Sequence, residues 1–232
     1  MSDDCQNDSS DPVRMVAPGG ARSAIVAGGT GLIGGALLQL LGGDARYRSV
    51  TSLVRRELPA PPGVAVQRAD FERLDELVLP EADDAFCCLG TTRRVAGSAA
   101  AFRRVDLDYV VAFGKVAKRA GALRLMLVSS LGASSGSSFL YPRTKGECEA
   151  AVSAIGFSTL VIVRPSFLVG ARPEARPAEA VALRAGRLLL PVLVGPLRRY
   201  APVDALAVAR TLVRAAAAAP AGITIIESDA IR

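Results

Sequence analysis

Along most of this chain, apolar runs of strand length alternate with segments in which apolar residues recur at helical spacing. Strands buried on both faces read as near-continuous apolar runs, so the alternation points to a parallel sheet covered by helices on each side. The runs predict strands at Ser23 to Ala27, Val50 to Val54, Val64 to Gln67, Ala85 to Leu89, Leu125 to Ser129, Thr159 to Val163 and Ile223 to Ile226. Between them, Leu32 to Leu41 is apolar nearly all round, which predicts a buried helix. A short helix follows Phe71. From Ala99 to Ala120, Phe102, Val105, Tyr109, Phe113 and Val116 mark one face of a single long helix, with Gly121 as its C-cap. A further helix follows Tyr141, with Pro142 in its first turn, where proline is tolerated. Later helices are read at Ala178 to Leu190 and Val203 to Ala218. The expected fold class is α/β: a Rossmann-type doubly wound, mostly parallel sheet with helices on both faces and a small C-terminal region at about 166–202 for a substrate.

The chain of 232 residues, half of them hydrophobic, suffices for one full core, and no internal repeat or linker divides it. Residues 1–22 open on a polar, acidic stretch and are read as a disordered tail, which leaves 23–232 as a single domain. The net charge is +6, and of the 28 basic residues all but Lys115, Lys118 and Lys145 are arginine. Because the arginines are scattered and not interleaved with aromatics, no nucleic-acid surface is expected. Cys5, Cys87, Cys88 and Cys148 show no metal-ligand spacing and there is no histidine, so no metal site is expected. Free thiols and the lack of an apolar signal core predict a reduced, cytoplasmic protein. The apolar stretch from Leu188 is about half the roughly 20 residues a membrane span needs and contains prolines, so no span is expected.

Two motifs carry chemistry. After the first strand, VAGGTGLIGG places Gly28, Gly31 and Gly34 so that the turn is tight, the backbone can approach a phosphate and the helix packs closely on the sheet. Leu32 and Ile33 then bring backbone amides to the helix start, where a pyrophosphate would lie. An ordinary strand-to-helix turn accounts for the glycines too, but the flanking strand and helix are the context a dinucleotide site requires. The second strand ends in Arg55 and Arg56, which suit the 2′-phosphate of NADP(H), or else form a solvated loop pair beside Glu57. Asp70, with Phe71 next to it, either accepts from the adenine amino group or caps the helix beginning there.

The second motif is Tyr141 and Lys145 in YPRTK. One helical turn puts the phenol and the ammonium on one face, where the ammonium favours the phenolate and brings proton transfer within reach of neutral pH. Ser130, at the C-terminal edge of the fifth strand, is placed to hold a substrate oxygen, with Ser129 as the other candidate because the register of the strand is open.

With GGTGLIG, FCCLGTT, FRRVDLDYV, LVSSLGASSGSSFLYPRTKGECEA and VRPSFLVGARPEARP in one chain, the sequence resembles the short-chain dehydrogenase/reductase superfamily. It looks most like the atypical, NADP-binding branch that includes the Tat-interacting protein and its bacterial relatives. The resemblance implies that Ser130, Tyr141 and Lys145 are catalytic. It also implies that Leu89, Gly90 and Thr91 lie along the nicotinamide-side ribose, with Ser129 close by, and that Pro165, Phe167 and Leu168 approach the nicotinamide amide. Where many relatives carry an asparagine in the long helix as part of a proton relay, this chain offers Asp106.

The expected function is therefore an NADPH-dependent oxidoreductase that reduces a carbonyl of a small molecule, as a monomer or homodimer. A regulatory protein that senses NADP(H) without significant turnover, and a nucleotide-sugar epimerase or dehydratase using the same three side chains, are the competing expectations.

Overall fold

The computed structural model describes residues 20–56, 59–169 and 195–231. The helix read at 178–190, Glu57 and residues 1–19 of the proposed tail lie outside that range. The strands, in chain order, are β1 (Arg22–Ala27), β2 (Tyr47–Val54), β3 (Val64–Arg68), β4 (Asp84–Cys87), β5 (Arg124–Val128), β6 (Thr159–Arg164), β7 (Leu168–Val169), β8 (Val203–Asp204) and β9 (Gly222–Glu227). Among the described residues, seven of them form one sheet in the order β3-β2-β1-β4-β5-β6-β9. Every neighbouring pair is parallel, not merely most of them. The short β7 and β8 pair separately. Arg22 belongs to β1 and not to the tail, and β2 starts at Tyr47 because its exposed Arg48 and Ser49 interrupt the apolar run.

Successive strand residues point to opposite faces, and each face has its own core. Ala24, Val26, Phe86 and Met126 meet α1 (Leu32–Gly42) and α6 (Ala205–Ala218) through Leu37, Leu41, Val208 and Leu212. On the other face Ile25, Ala85 and Leu125 meet α4 (Tyr109–Arg119) and α5 (Leu140–Ser153) through Phe113, Ala117, Cys148 and Val152. Full burial of one such aromatic or aliphatic side chain stabilises the fold by roughly 1.5–3 kcal/mol. The edge strands β3 and β9 have no fully buried position, and each has only one neighbouring strand.

The long helix expected from 99 to 120 is broken. After a short α2 (Arg93–Ala96), α3 (Ala99–Arg103) runs into a wide π turn at Arg104–Asp108 before α4 begins. The buried stripe is Phe102, Asp106, Val110, Phe113 and Ala117, whereas Val105 and Tyr109 are partly exposed. Hydrophobic periodicity passed over Asp106 because it is a carboxylate, and so shifted the inward face by one position. π turns of this kind cluster at functional sites.

Candidate active site

The sheet's strand order changes direction between β1 and β4, and the crevice this opens lies beyond the C-terminal strand ends. It holds two adjoining compartments of about 480 and 340 Å³ that share Gly31, Leu89, Gly90 and Thr91 as walls.

The first compartment is walled by the glycine turn, Arg55, Phe71, Val105 and Tyr109. Gly28 has φ 85°, and a Cβ there would sit 2.5 Å from the Cys88 backbone. A Cβ on Gly34 would lie 2.1 Å from the Gly28 carbonyl oxygen, so close packing of α1 on the turn excludes a side chain. Gly31 is different. The nearest atom to its hypothetical Cβ is the Gly28 oxygen at 3.3 Å, a tight contact but no overlap, and Gly31 lines both compartments. Gly31 is also the N-cap of α1 and offers no side-chain bond to the first helical amides. These amides, from Leu32 onward, present the positive end of the helix dipole to the cleft. The arrangement fits a pyrophosphate.

Arg55 stands in the wall, Arg56 does not line it, and both are exposed. Phe71 is buried beneath the compartment, its ring centroid 5.8 Å from that of Tyr109. Asp70 is not in the wall: its carboxylate accepts from the Glu72 amide at 3.0 Å and caps the 3-10 turn Phe71–Glu76. Burial, and after it the hydrogen bond that Tyr109 donates to Glu72, push the Tyr109 phenol up to about 12.

The second compartment is walled by Leu32, Ile33, Asp106, Ser129, Tyr141, Lys145 and Leu168. Tyr141 is 42% exposed and stacks on Phe102 at a centroid distance of 5.5 Å. Lys145 is 5% exposed, and its Nζ lies 2.7 Å from Oδ1 of the fully buried Asp106. The other carboxylate oxygen accepts from the Thr91 amide at 2.8 Å. Burial by itself pushes the Lys145 ammonium down, but Asp106 and then Tyr141 outweigh it and hold the group above its ordinary value. Gly146 lets α5 press against the loop before it, since a Cβ there would be 2.2 Å from the Ser135 amide nitrogen.

The two serines separate. Ser129 is buried, and its hydroxyl donates to Glu149 Oε1 at 2.5 Å. Glu149 in turn takes two bonds from Arg164, at 3.0 and 2.5 Å, and Arg164 reaches Glu227 at 2.9 Å. Ser130 is partly exposed, does not line the compartment and, among the described residues, its hydroxyl makes a 3.5 Å contact to the Leu131 carbonyl. The hydroxyl of Ser129 is therefore committed to the fold, and that of Ser130 is not. Pro165 is buried and accepts from the Leu131 amide at 2.9 Å, which ties the end of β6 to the end of β5. Phe167 is 76% exposed outside the wall, and Leu168 reaches into it.

Sequence reasoning missed Tyr109 and Val105 as wall residues and missed the Glu149–Arg164 pair altogether. Glu149 follows Lys145 by four residues on α5, a spacing that places both on one helix face and would have flagged it. Cys88 lines both compartments, while Cys87 and Cys148 are buried beside Lys145, and burial pushes each of these two thiols up to about 12. They act as small apolar groups and not as thiolates. Among the described residues no cluster of candidate metal ligands occurs, and no helix is long and apolar enough to cross a membrane.

No protein-family model matches the chain. The rat protein HTATIP2 is 42% identical over 167 residues, 69% of this chain and 69% of the rat protein. The mitochondrial protein FMP52-1 of Scheffersomyces stipitis is 35% identical over 159 residues, 66% of this chain and 70% of its own length. Among solved structures, human epimerase family protein SDR39U1 with NADPH superposes with a TM-score of 0.62 at 22% identity, over 88% of this chain and 74% of the human one. That last likeness is one of fold. The expectation of a cytoplasmic protein is corrected by these relatives, since several fungal ones carry the name mitochondrial. Free thiols fit any reducing compartment, so cysteine usage had no power to single out the cytosol.

Proposed function

Because the chain belongs to the atypical branch of the short-chain dehydrogenase/reductase superfamily that includes HTATIP2, we propose that it binds NADP(H) along the two compartments and reduces a carbonyl group. The observation that carries this reading is the continuity of the cleft. The two compartments share Gly31, Cys88, Leu89, Gly90 and Thr91, and their walls together reach from Arg55 past the glycine turn to Lys145 and Tyr141. In this reading the pyrophosphate lies on Gly31 and the first amides of α1, with the adenosine near Phe71 and its 2′-phosphate near Arg55. Lys145 holds the nicotinamide-side ribose beside Gly90 and Thr91.

NADPH held there would supply the hydride for the carbonyl carbon. The chain's own part is to place the carbonyl oxygen between the Ser130 hydroxyl, which donates a hydrogen bond, and the Tyr141 phenol, which donates the proton that completes the alcohol. Tyr141 suits this role because its ring is fixed on Phe102 while its edge stays open to the cleft.

The test is a titration with NADPH and NADH followed by a screen of carbonyl substrates. Tight NADPH binding with turnover supports the reading. Tight binding with no turnover of any carbonyl transfers the weight to a cofactor-sensing role, and absence of binding overturns both.

A further inference from the structure

We infer that Asp106 is a positioning residue whose carboxylate clamps the Lys145 ammonium to the Gly90–Thr91 turn and so fixes the ammonium at the cofactor's ribose. This deepens the cofactor-binding reading given above and rests on it for the ribose, though not for the clamp. The geometry is specific. Asp106 reaches α5 with Oδ1, 2.7 Å from Lys145 Nζ, and reaches the loop after β4 with Oδ2, 2.8 Å from the Thr91 amide. Gly90 adjoins the pair: a Cβ there would make ordinary van der Waals contact with Oδ1 at 3.4 Å and with Nζ at 3.7 Å. The π turn at Arg104–Asp108 carries the carboxylate at its centre, between the two cleft walls that it joins.

A lysine this deeply buried is stable as a cation only beside a counter-charge. The titratable groups that act on it are Asp106 from the π turn, Tyr141 and Cys148 from its own helix, and Cys87 from β4. Both thiols are held neutral by burial, and Tyr141 opens to the cleft, so the anion that supports the ammonium is Asp106. An amide at this position would keep the bond to Thr91 but withdraw the charge, and burial would then act on Lys145 unopposed. Carboxylate and amide thus differ here in what they do to the lysine, not in shape.

The chain has three lysines, Lys115, Lys118 and Lys145, so isotopically labelled lysine side chains can be followed singly by NMR as pH is varied. In the unliganded wild type, Lys145 should titrate no lower than Lys115 and Lys118. In Asp106→Asn its midpoint should fall by about two units or more, as buried lysines without a counter-charge do, and Asp106→Glu should restore most of it. NADPH affinity of Asp106→Asn should then weaken about tenfold as pH rises through the new midpoint, the loss of one charge-assisted bond. Wild type and Asp106→Glu should show no such step. An unchanged Lys145 midpoint in Asp106→Asn overturns the clamp. If that variant does not fold, a wild-type Lys145 that titrates below the other two overturns it. A shifted midpoint with pH-independent NADPH affinity supports the clamp and overturns its role at the ribose. If the wild type binds no NADPH at all, the cofactor reading fails and the titration still decides the clamp.

Discussion

The sheet carries a buried carboxylate cluster at each end, and the two ends use the same chemistry for opposite purposes. At the N-terminal edge, Asp84 is wholly buried and accepts from Tyr47 at 2.6 Å and from Arg124 at 2.5 Å, with Arg22 at 3.2 Å. Next to it Asp83 binds the amide and hydroxyl of Ser23 at 2.8 and 3.1 Å. The partners named here, Arg22, Ser23, Tyr47 and Arg124, belong to β1, β2 and β5, so the cluster sews the strand starts together at the end of the sheet away from the glycine turn. At the C-terminal edge Asp106 is as deeply buried, but its partner Lys145 stands in the wall of a compartment. Buried charge by itself therefore does not mark a site. What distinguishes the two is that Lys145 shares a compartment with the start of the helix after the glycine turn, whereas Arg22 and Arg124 lie at the opposite end of the strands.

The largest effect that would break this comparison is expected at the N-terminal edge. Asp84→Ala should lose about 3–5 kcal/mol of stability in denaturant unfolding, because it strands Arg124 and the Tyr47 hydroxyl without an anion. NADPH affinity of the folded fraction should be unchanged. If affinity falls with stability, the two edges are not separate.

Tyr141→Phe should behave in the converse way. Any carbonyl reduction should drop by at least about 10²-fold, the usual cost of losing a general acid, while the melting temperature stays at the wild-type value because the ring remains stacked on Phe102. Turnover at the wild-type rate would remove Tyr141 from the mechanism.

Arg55→Ala sharpens the far end of the cleft. Since Arg55 is exposed, its contact with a 2′-phosphate should be worth about 1 kcal/mol, a roughly fivefold loss of NADPH affinity with NADH unaffected. Isothermal titration of both cofactors measures it, and an equal loss for both would show that Arg55 does not read the 2′-phosphate.

The smallest effect concerns alkaline pH. Burial and the neighbouring Asp84 push the Tyr47 phenol well above its ordinary value. A folded-state value above the unfolded one means that the folded protein keeps a proton that the unfolded chain has shed. Stability from Tyr47 is therefore complete below about pH 10 and declines as pH rises beyond it. Lys145, also raised, adds a decline of the same sign. Tyr47→Phe should cost about 1 kcal/mol at neutral pH, one hydrogen bond, and should flatten only part of the alkaline limb. A limb unchanged in Tyr47→Phe would mean that the N-terminal cluster does not govern it.

Much of this molecule is written locally. The seven sheet strands, the helix that opens at Leu32 and the helix that bears Lys145 follow from apolar runs, glycine spacing and a proline in a first turn, all of which act through nearest neighbours and backbone sterics. The glycine triplet and the Tyr141–Lys145 spacing are legible for the same reason, because each depends on one turn of chain. The π turn was not legible, since a single extra residue per turn leaves almost no mark on periodicity. Neither was the inward position of Asp106, whose carboxylate is worth burying only because a lysine 39 positions along the chain arrives 2.7 Å away. The partners of the Ser129 hydroxyl likewise come from afar, Glu149 from α5 and Arg164 from β6. Local pattern determined the elements and the residue types of the site. Tertiary structure decided which charges face one another, because the free energy of a buried polar group depends on its partner, and partners distant in sequence meet only when the sheet is assembled.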